Sequence, residues 1–203
     1  VGLVWIPNAQ LAPLQPVRLE SGEIYPGAPT PLEQRGKAVY VSLGCIYCHS
    51  QQVRPDGFGS DIARGWGQRA SVPLDYIRGG TPMLGTMRTG PDLRNIGARQ
   101  PSARWHYLHL YNPRITSEGS IMPPFRFLFD RVPEDAGLLP KREWLELPEP
   151  WKVEGYRVAP KPEAKALVAY LLSLDYDTPV PVEAMAAQPE EAVAEPTEAE
   201  EPE

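Results

Sequence analysis

Apolar residues fall at helical spacing in only a few stretches of this 203-residue chain. In the first, Leu32, Val39, Tyr40 and Leu43 follow Thr30-Pro31-Leu32-Glu33. That tetrapeptide is a capping box with proline in the first helical position. Together they predict a helix over about 31–44. In the second, PEAKALVAYLLSL (162–174), Leu167, Tyr170, Leu171 and Leu174 form an apolar stripe. Pro162 and Glu163 suit its first turn. A shorter run, ARWHYLHLY, is capped by Ser102 and stops at Asn112 because Pro113 follows. Gly36 and Tyr40 lie one turn apart on the first helix, and a glycine there lets another helix approach. The 162–174 helix is its natural partner.

Between these elements neither helical nor strand periodicity holds. Residues 8–29 are rich in Pro, Gly and polar side chains and read as a leader wrapping the surface. Residues 50–73 read as loop, with one helical turn near 61–64, and 74–78 as another short turn. Residues 79–99 form a Gly- and Pro-rich loop, and 117–127 a turn carrying Met122. Residues 130–160 show no clear period and read as an ordered insertion. The expected organisation is therefore a leader over 1–29, a domain over 30–176 including that insertion, and a tail over 177–203.

Composition sharpens this in two ways. Proline makes up 25 of the 203 residues, about twice the usual share of ~5%. That disfavours a bundle of long helices. The net charge of −6 is unevenly placed: from Asp177 onward there are nine acidic residues and no basic one. The remainder carries 20 basic against 17 acidic residues. The tail has too little apolar surface to offset ordering and is expected to be disordered. No basic run or nucleic-acid motif appears. Val1-Gly-Leu-Val-Trp-Ile6 is apolar but far too short to span a bilayer. It reads either as the stub of a membrane anchor or as an apolar terminus docked on the body.

The only two cysteines, Cys45 and Cys48, stand in GCIYCHS with His49 directly after the second. Cys-x-x-Cys-His reads as a c-type haem attachment site. Thiols at this spacing reach the two vinyl groups on one porphyrin edge. The adjacent imidazole then becomes the proximal iron ligand. A thioredoxin-like dithiol needs no such histidine and expects a βαβ context. A structural zinc would need two further ligands, His106 and His109 at best. For the distal ligand the candidates are Met83, Met87, Met122 and those two histidines. Met122 is chosen because Pro123 and Pro124 restrict its turn. Trp105, Arg88, Arg94 and Arg99 are candidate partners for haem propionates, which need donors when buried. His106 and His109 share one helical face, and are read as hydrogen-bonded histidines near the haem edge or an interface rather than a second metal site.

Four segments, GCIYCHSQQVRP (44–55), RTGPDL (88–93), WHYLHLYNPR (105–114) and SIMP (120–123), together resemble the monohaem cytochrome c subunit of cbb(3)-type haem–copper oxidases, within the class I cytochromes c. The resemblance covers about residues 30–128, interrupted between 56 and 87. It implies an all-α fold with N- and C-terminal helices packed around one covalent haem c and long Pro-rich loops. It further implies that the Pro91 carbonyl accepts from His49, that Met122 in SIMP is the sulfur ligand, and that Arg99 and Trp105 serve the propionates. The implied activity is periplasmic electron transfer at the outer face of the bacterial cytoplasmic membrane, with no catalysis by this chain alone. The implied partners are a respiratory oxidase catalytic subunit and another cytochrome c. Three departures bear on the partner complex: no N-terminal transmembrane anchor, an unfamiliar middle, and a long stretch after SIMP. A cytochrome serving nitric oxide or nitrate reduction, a five-coordinate haem gas sensor and a zinc module are the rival readings.

Overall fold

The computed structural model describes residues 2–135 and 143–180. Its helices are α1 (Gly2–Leu11), α2 (Pro31–Ser42), α3 (Ile96–Arg99), α4 (Ala103–Tyr111) and α5 (Pro162–Ser173). Two antiparallel pairs of strands accompany them: β1 (Val17–Arg18) with β2 (Ile24–Tyr25), and β3 (Phe129–Pro133) with β4 (Tyr156–Pro160). The expectation of an all-α chain is thus corrected. The stretch from 123 to 162 carries eight prolines, too closely spaced for any long helix. Strand pairing satisfies the backbone of 129–133 and 156–160 instead. The β3–β4 register runs from Phe129 opposite Pro160 to Pro133 opposite Tyr156. The two strand prolines therefore sit at ends of the ladder, where a missing N–H disrupts least. Phe129 and Val158 turn inward to the core.

The leader also differs from expectation. Residues 2–11 are helical despite Pro7, and none of them is buried. Leu3 is 95% and Trp5 73% exposed, so this terminus is not docked on the body. Among the described residues no helix is long and apolar enough to cross a membrane. At the other end Asp177 and Thr178 belong to the folded body. Asp177 Oδ1 accepts from Gln68 N at 2.8 Å and Asn95 Nδ2 at 3.0 Å. The Thr178 carbonyl accepts from Arg69 Nε at 2.9 Å. The rest of the expected tail, 181–203, lies outside the described residues.

The body is built on α2 packed against α5. Thr30 Oγ1 accepts from Glu33 N, and Glu33 Oε2 accepts from Thr30 N at 2.8 Å, which starts α2 at the position its sequence specifies. A Cβ on Gly36 would collide with the Ala166 carbonyl and stand 2.6 Å from Tyr170 Cβ. Only glycine permits so close an approach of the two backbones. Tyr40 and Tyr170 meet edge to face at 5.5 Å beside it. Leu167, Val168 and Leu171 of α5 share one core with Leu108 and Tyr111 of α4 and Phe129 of β3.

Candidate functional site

Helix α2 delivers the chain directly into the cysteine motif. Its last turn is closed by Leu43 and then Gly44, whose φ of +73° lets the backbone reverse. Cys45–Tyr47 follow as a single 3-10 turn. His49 N donates back to the Cys45 carbonyl at 3.0 Å. Both thiols are unbridged; Cys45 is half-buried and Cys48 exposed. Burial pushes the Cys45 thiol up to about 11, with the neighbouring Cys48 adding to the effect. A dithiol redox centre needs the opposite, a depressed thiol pKa.

His49 is fixed from two directions. Its Nδ1 lies 2.7 Å from the Pro91 carbonyl oxygen. A carbonyl only accepts, so Nδ1 carries the proton and Nε2 keeps its lone pair free. Burial holds the imidazole below its ordinary pKa, outweighing the Pro91 bond and the charge of Asp92. The ring lies against Gly90, where a Cβ would stand 2.8 Å from Nδ1 and 2.9 Å from Nε2 and collide with Cε1. Gly90 is thus a cradle for the imidazole that sequence reasoning treated only as loop.

Asp92 holds the loop that carries Gly90 and Pro91. It is completely buried. Its Oδ2 accepts from Ser50 Oγ at 2.5 Å and Gln52 N at 2.8 Å, and its Oδ1 from Arg94 N at 2.8 Å. Arg88 closes the same network: Nε donates to Ser50 Oγ at 2.8 Å, Nη2 to the Gln52 carbonyl at 2.6 Å, and Nη1 pairs with Asp61 at 2.6 Å. Two main-chain bonds, Gly90 N to Cys48 O at 2.9 Å and Leu93 N to Ser50 O at 2.8 Å, complete the join. Buried charges need partners of this kind. Neither Asp92 nor Arg88 was placed in this role by the sequence. The available signal was the Gly-Pro-Asp order, since Asp readily hydrogen-bonds the backbone two residues on.

The other sequence candidates fall in different places. Arg99 Nη2 donates to the Asp92 carbonyl, and its Nε is buried with no partner. Arg88 is fully committed as described. The Arg94 guanidinium lies over the rings of Tyr76 and Tyr176, and its Nε, like that of Arg99, is buried without a partner. Trp105 stacks flat on His109, centroids 4.7 Å apart, and meets His106 edge-on at 5.2 Å. His106 Nε2 is bonded to the Gln100 carbonyl at 2.8 Å and His109 Nδ1 to Thr116 Oγ1 at 2.6 Å. The two rings therefore turn to separate partners rather than to one shared ion. Burial, with smaller contributions from His49 and His106, lowers the His109 pKa to about 4. Met122 is half-buried against the core; its N donates to Ser120 Oγ at 3.3 Å and its carbonyl accepts from Arg114 at 3.4 Å. Met83 also packs on the core, whereas Met87 is 58% exposed.

The donor set suits a haem. An imidazole with its distal nitrogen free, two thiols at attachment spacing, a thioether, and a desolvated Arg99 N–H without an acceptor are the groups such a cofactor requires. Among the described residues no group of three or more His, Cys, Asp or Glu could hold a bare metal ion. The family described as "Cytochrome C oxidase, mono-heme subunit/FixO" matches residues 10–146. The chain belongs to this family. Membership implies one haem and a place in an oxidase complex, and the match covers every candidate ligand from Cys45 to Met122. It also includes the β1–β2 leader and the β3 strand, beyond the segments that carried the sequence resemblance. No curated protein matches the chain.

Proposed function

We propose that this member of the FixO family is a single-haem c electron carrier on the outer face of the bacterial cytoplasmic membrane, relaying electrons from another cytochrome to the catalytic subunit of a cbb(3)-type oxidase. The observation that carries it is the His49 geometry: Nδ1 bonded to Pro91, the ring seated on Gly90, and Nε2 free beside the cysteine pair. That is the arrangement a proximal ligand needs, because the bond at the far nitrogen fixes the tautomer and raises basicity.

In this reading Cys45 and Cys48 hold the porphyrin edge as thioethers, and His49 Nε2 and the Met122 sulfur hold the iron. When bound, the group supplies a one-electron couple between ferric and ferrous iron. The chain's own work is to keep both ligands in place, so that no site opens for substrate. Burial keeps His49 unprotonated and available as a ligand. Arg99 Nε offers its unpartnered N–H to a propionate, which needs a charge-assisted donor when removed from water. Trp105, stacked on His109, would offer its indole N–H to a propionate in the same way. The thioether raises the potential relative to a second imidazole, which suits a donor to an oxygen-reducing centre.

The test is spectroscopic. Protein made in a host that attaches haem c should show a c-type reduced spectrum whose colour stays with the polypeptide after acid–acetone extraction. Extractable or absent colour would overturn covalent attachment. Co-purification with an oxidase catalytic subunit from native membranes supports the assigned complex, and recovery with a nitric oxide or nitrate reductase instead would reassign it.

A further inference from the structure

Two carboxylates and one guanidinium form a buried triad behind the loop that carries Pro91. The side chains of Asp61, Arg88 and Asp92 are only 3%, 14% and 0% exposed. Arg88 Nη1 pairs with Asp61 Oδ1 at 2.6 Å, and its Nη2 lies 3.7 Å from Asp92 Oδ2. The first contact is a charge-assisted hydrogen bond and the second only an ion pair. One cation is thus shared between two anions, and it leans toward Asp61.

The other groups bonded to these carboxylates are neutral. Asp92 accepts from Ser50 Oγ, Gln52 N and Arg94 N, and Asp61 Oδ2 accepts from Arg54 N at 2.8 Å. Such bonds lower the cost of burying charge without cancelling it. The neighbouring arginines have separate places. The Arg94 side chain donates to the Asp75 carbonyl at 2.6 Å. Arg99 donates to the main-chain carbonyl of Asp92 and is assigned above to a propionate. Arg54 and Arg64 are exposed, where solvent screens their charge. The triad is joined to His49 on both sides. Asp92 follows Pro91, whose carbonyl accepts from His49 Nδ1 at 2.7 Å. Ser50, which donates to Asp92 at 2.5 Å, follows His49. The charge of Asp92 reaches the imidazole, where it favours positive charge.

We propose that the Asp61–Arg88–Asp92 triad is a fixed counter-charge for the iron, whose surplus negative charge favours the ferric state and lowers the reduction potential. This rests on the haem reading given above. Ferric iron carries one more positive charge than ferrous iron, so an anion buried behind its imidazole attracts it more strongly. Burial keeps that attraction from being screened by solvent and salt. The thioether pushes the potential up relative to a second imidazole, and the triad pulls it back. A carrier needs both, because it must give up its electron as well as take one. Asp92 is then a positioning residue that acts through Pro91 and His49, and its charge is part of that action.

The experiment is a spectroelectrochemical titration of haem-loaded protein at pH 7, with the far-red sulfur-to-iron band recorded for each variant. Asp92→Asn removes the charge but keeps the shape. It should raise the equilibrium constant for reduction about threefold or more, an upward shift of about 28 mV for a one-electron couple. Arg88→Gln removes the shared cation and should move the potential down by a similar margin. Arg88→Lys restores that charge and should return it to the parent value. A purely structural triad predicts lower denaturation midpoints without this order of signs. If Asp92→Asn or Arg88→Gln fails to fold, Asp61→Asn decides, because it takes a negative charge from the same guanidinium and should also raise the potential. Potentials that stay within that margin, or move the other way, overturn the proposal. So does a shift accompanied by loss of the far-red band, since the sulfur ligand has then changed. Protein without covalent colour sinks the haem reading itself, and the proposal with it.

Discussion

The two candidate iron ligands are held by very different amounts of structure. His49 has a side-chain bond to Pro91, a glycine bed at Gly90 and, behind that loop, a buried carboxylate with three short bonds. Met122 sits half-buried in a turn, tied by contacts of 3.3 and 3.4 Å and by the stiffness of Pro123 and Pro124. One side is over-determined and the other is local. A site built this way keeps its imidazole fixed while its sulfur side opens first, because segments with few buried contacts have the lowest opening free energies.

The sharpest way to break that contrast is to remove Asp92. Asp92→Ala leaves Arg88 without part of its compensation and frees Ser50 Oγ, Gln52 N and Arg94 N at once. Losing one partner from a buried charged network costs about 3–5 kcal/mol. Denaturant melts of the haem-loaded protein should show a loss of that size. A loss under about 1 kcal/mol would mean the His49 side is no better anchored than the Met122 side.

Gly90→Ala comes next. The new methyl would collide with His49 Cε1, so the ring or the loop must move. Overpacking of this kind costs about 1–3 kcal/mol, and the upper end is expected because the Pro91 bond is strained as well. The measurement is the yield of covalently coloured protein alongside its denaturation midpoint. Normal yield and midpoint would show that the ring does not rest on that backbone.

Acid acts on a third group, His109 of α4, which belongs to neither ligand loop and marks how firmly the helix between them is packed. His109 has a folded pKa of about 4, against an unfolded value of 6.5. Between those values the unfolded chain binds more protons, so stability is full above about pH 6.5 and is lost as pH falls toward 4. Going from pH 7 to pH 5 should cost about 2 kcal/mol from this group. Urea melts at the two pH values measure the loss, and His109→Gln should flatten it. An equally steep loss in that variant would place the acid sensitivity elsewhere.

These contrasts were only partly legible in the sequence. The capping box at Thr30–Glu33, the cap at Ser102 and the stripe on α5 are local and periodic, and the structure places helices there. Gly36 meeting α5 follows from the same logic. The β3–β4 pairing joins strands more than twenty residues apart, each too short and too proline-rich to show alternation. Pro7 masked α1, which is a helix with no buried face to leave a stripe. Around the site, the Cys-x-x-Cys-His spacing is a chemical signal readable without any fold. Asp92, Arg88 and Gly90 act across about forty residues through side-chain–backbone contacts, which leave no period behind. Sequence showed which atoms could bind iron; only the folded chain shows which of them is held still.

Met122→Ala is the smallest perturbation of the fold and the most informative about the contrast. A buried methionine truncated to alanine costs about 2–5 kcal/mol. Met122 is only half-buried at a turn, so about 1 kcal/mol is expected. The spectrum should change far more than the stability. The far-red sulfur-to-iron band of the ferric protein should disappear, and the ferrous protein should bind carbon monoxide, while the covalent colour and the denaturation midpoint stay close to the parent's. That pairing of a large ligand effect with a small folding effect is what a locally held ligand predicts. If the far-red band persists in Met122→Ala, the same measurement on Met83→Ala becomes decisive, because Met83 is the other methionine described against the core. If instead the fold collapses with Met122, the sulfur side is as deeply anchored as His49 and the two halves of the site are not different in kind.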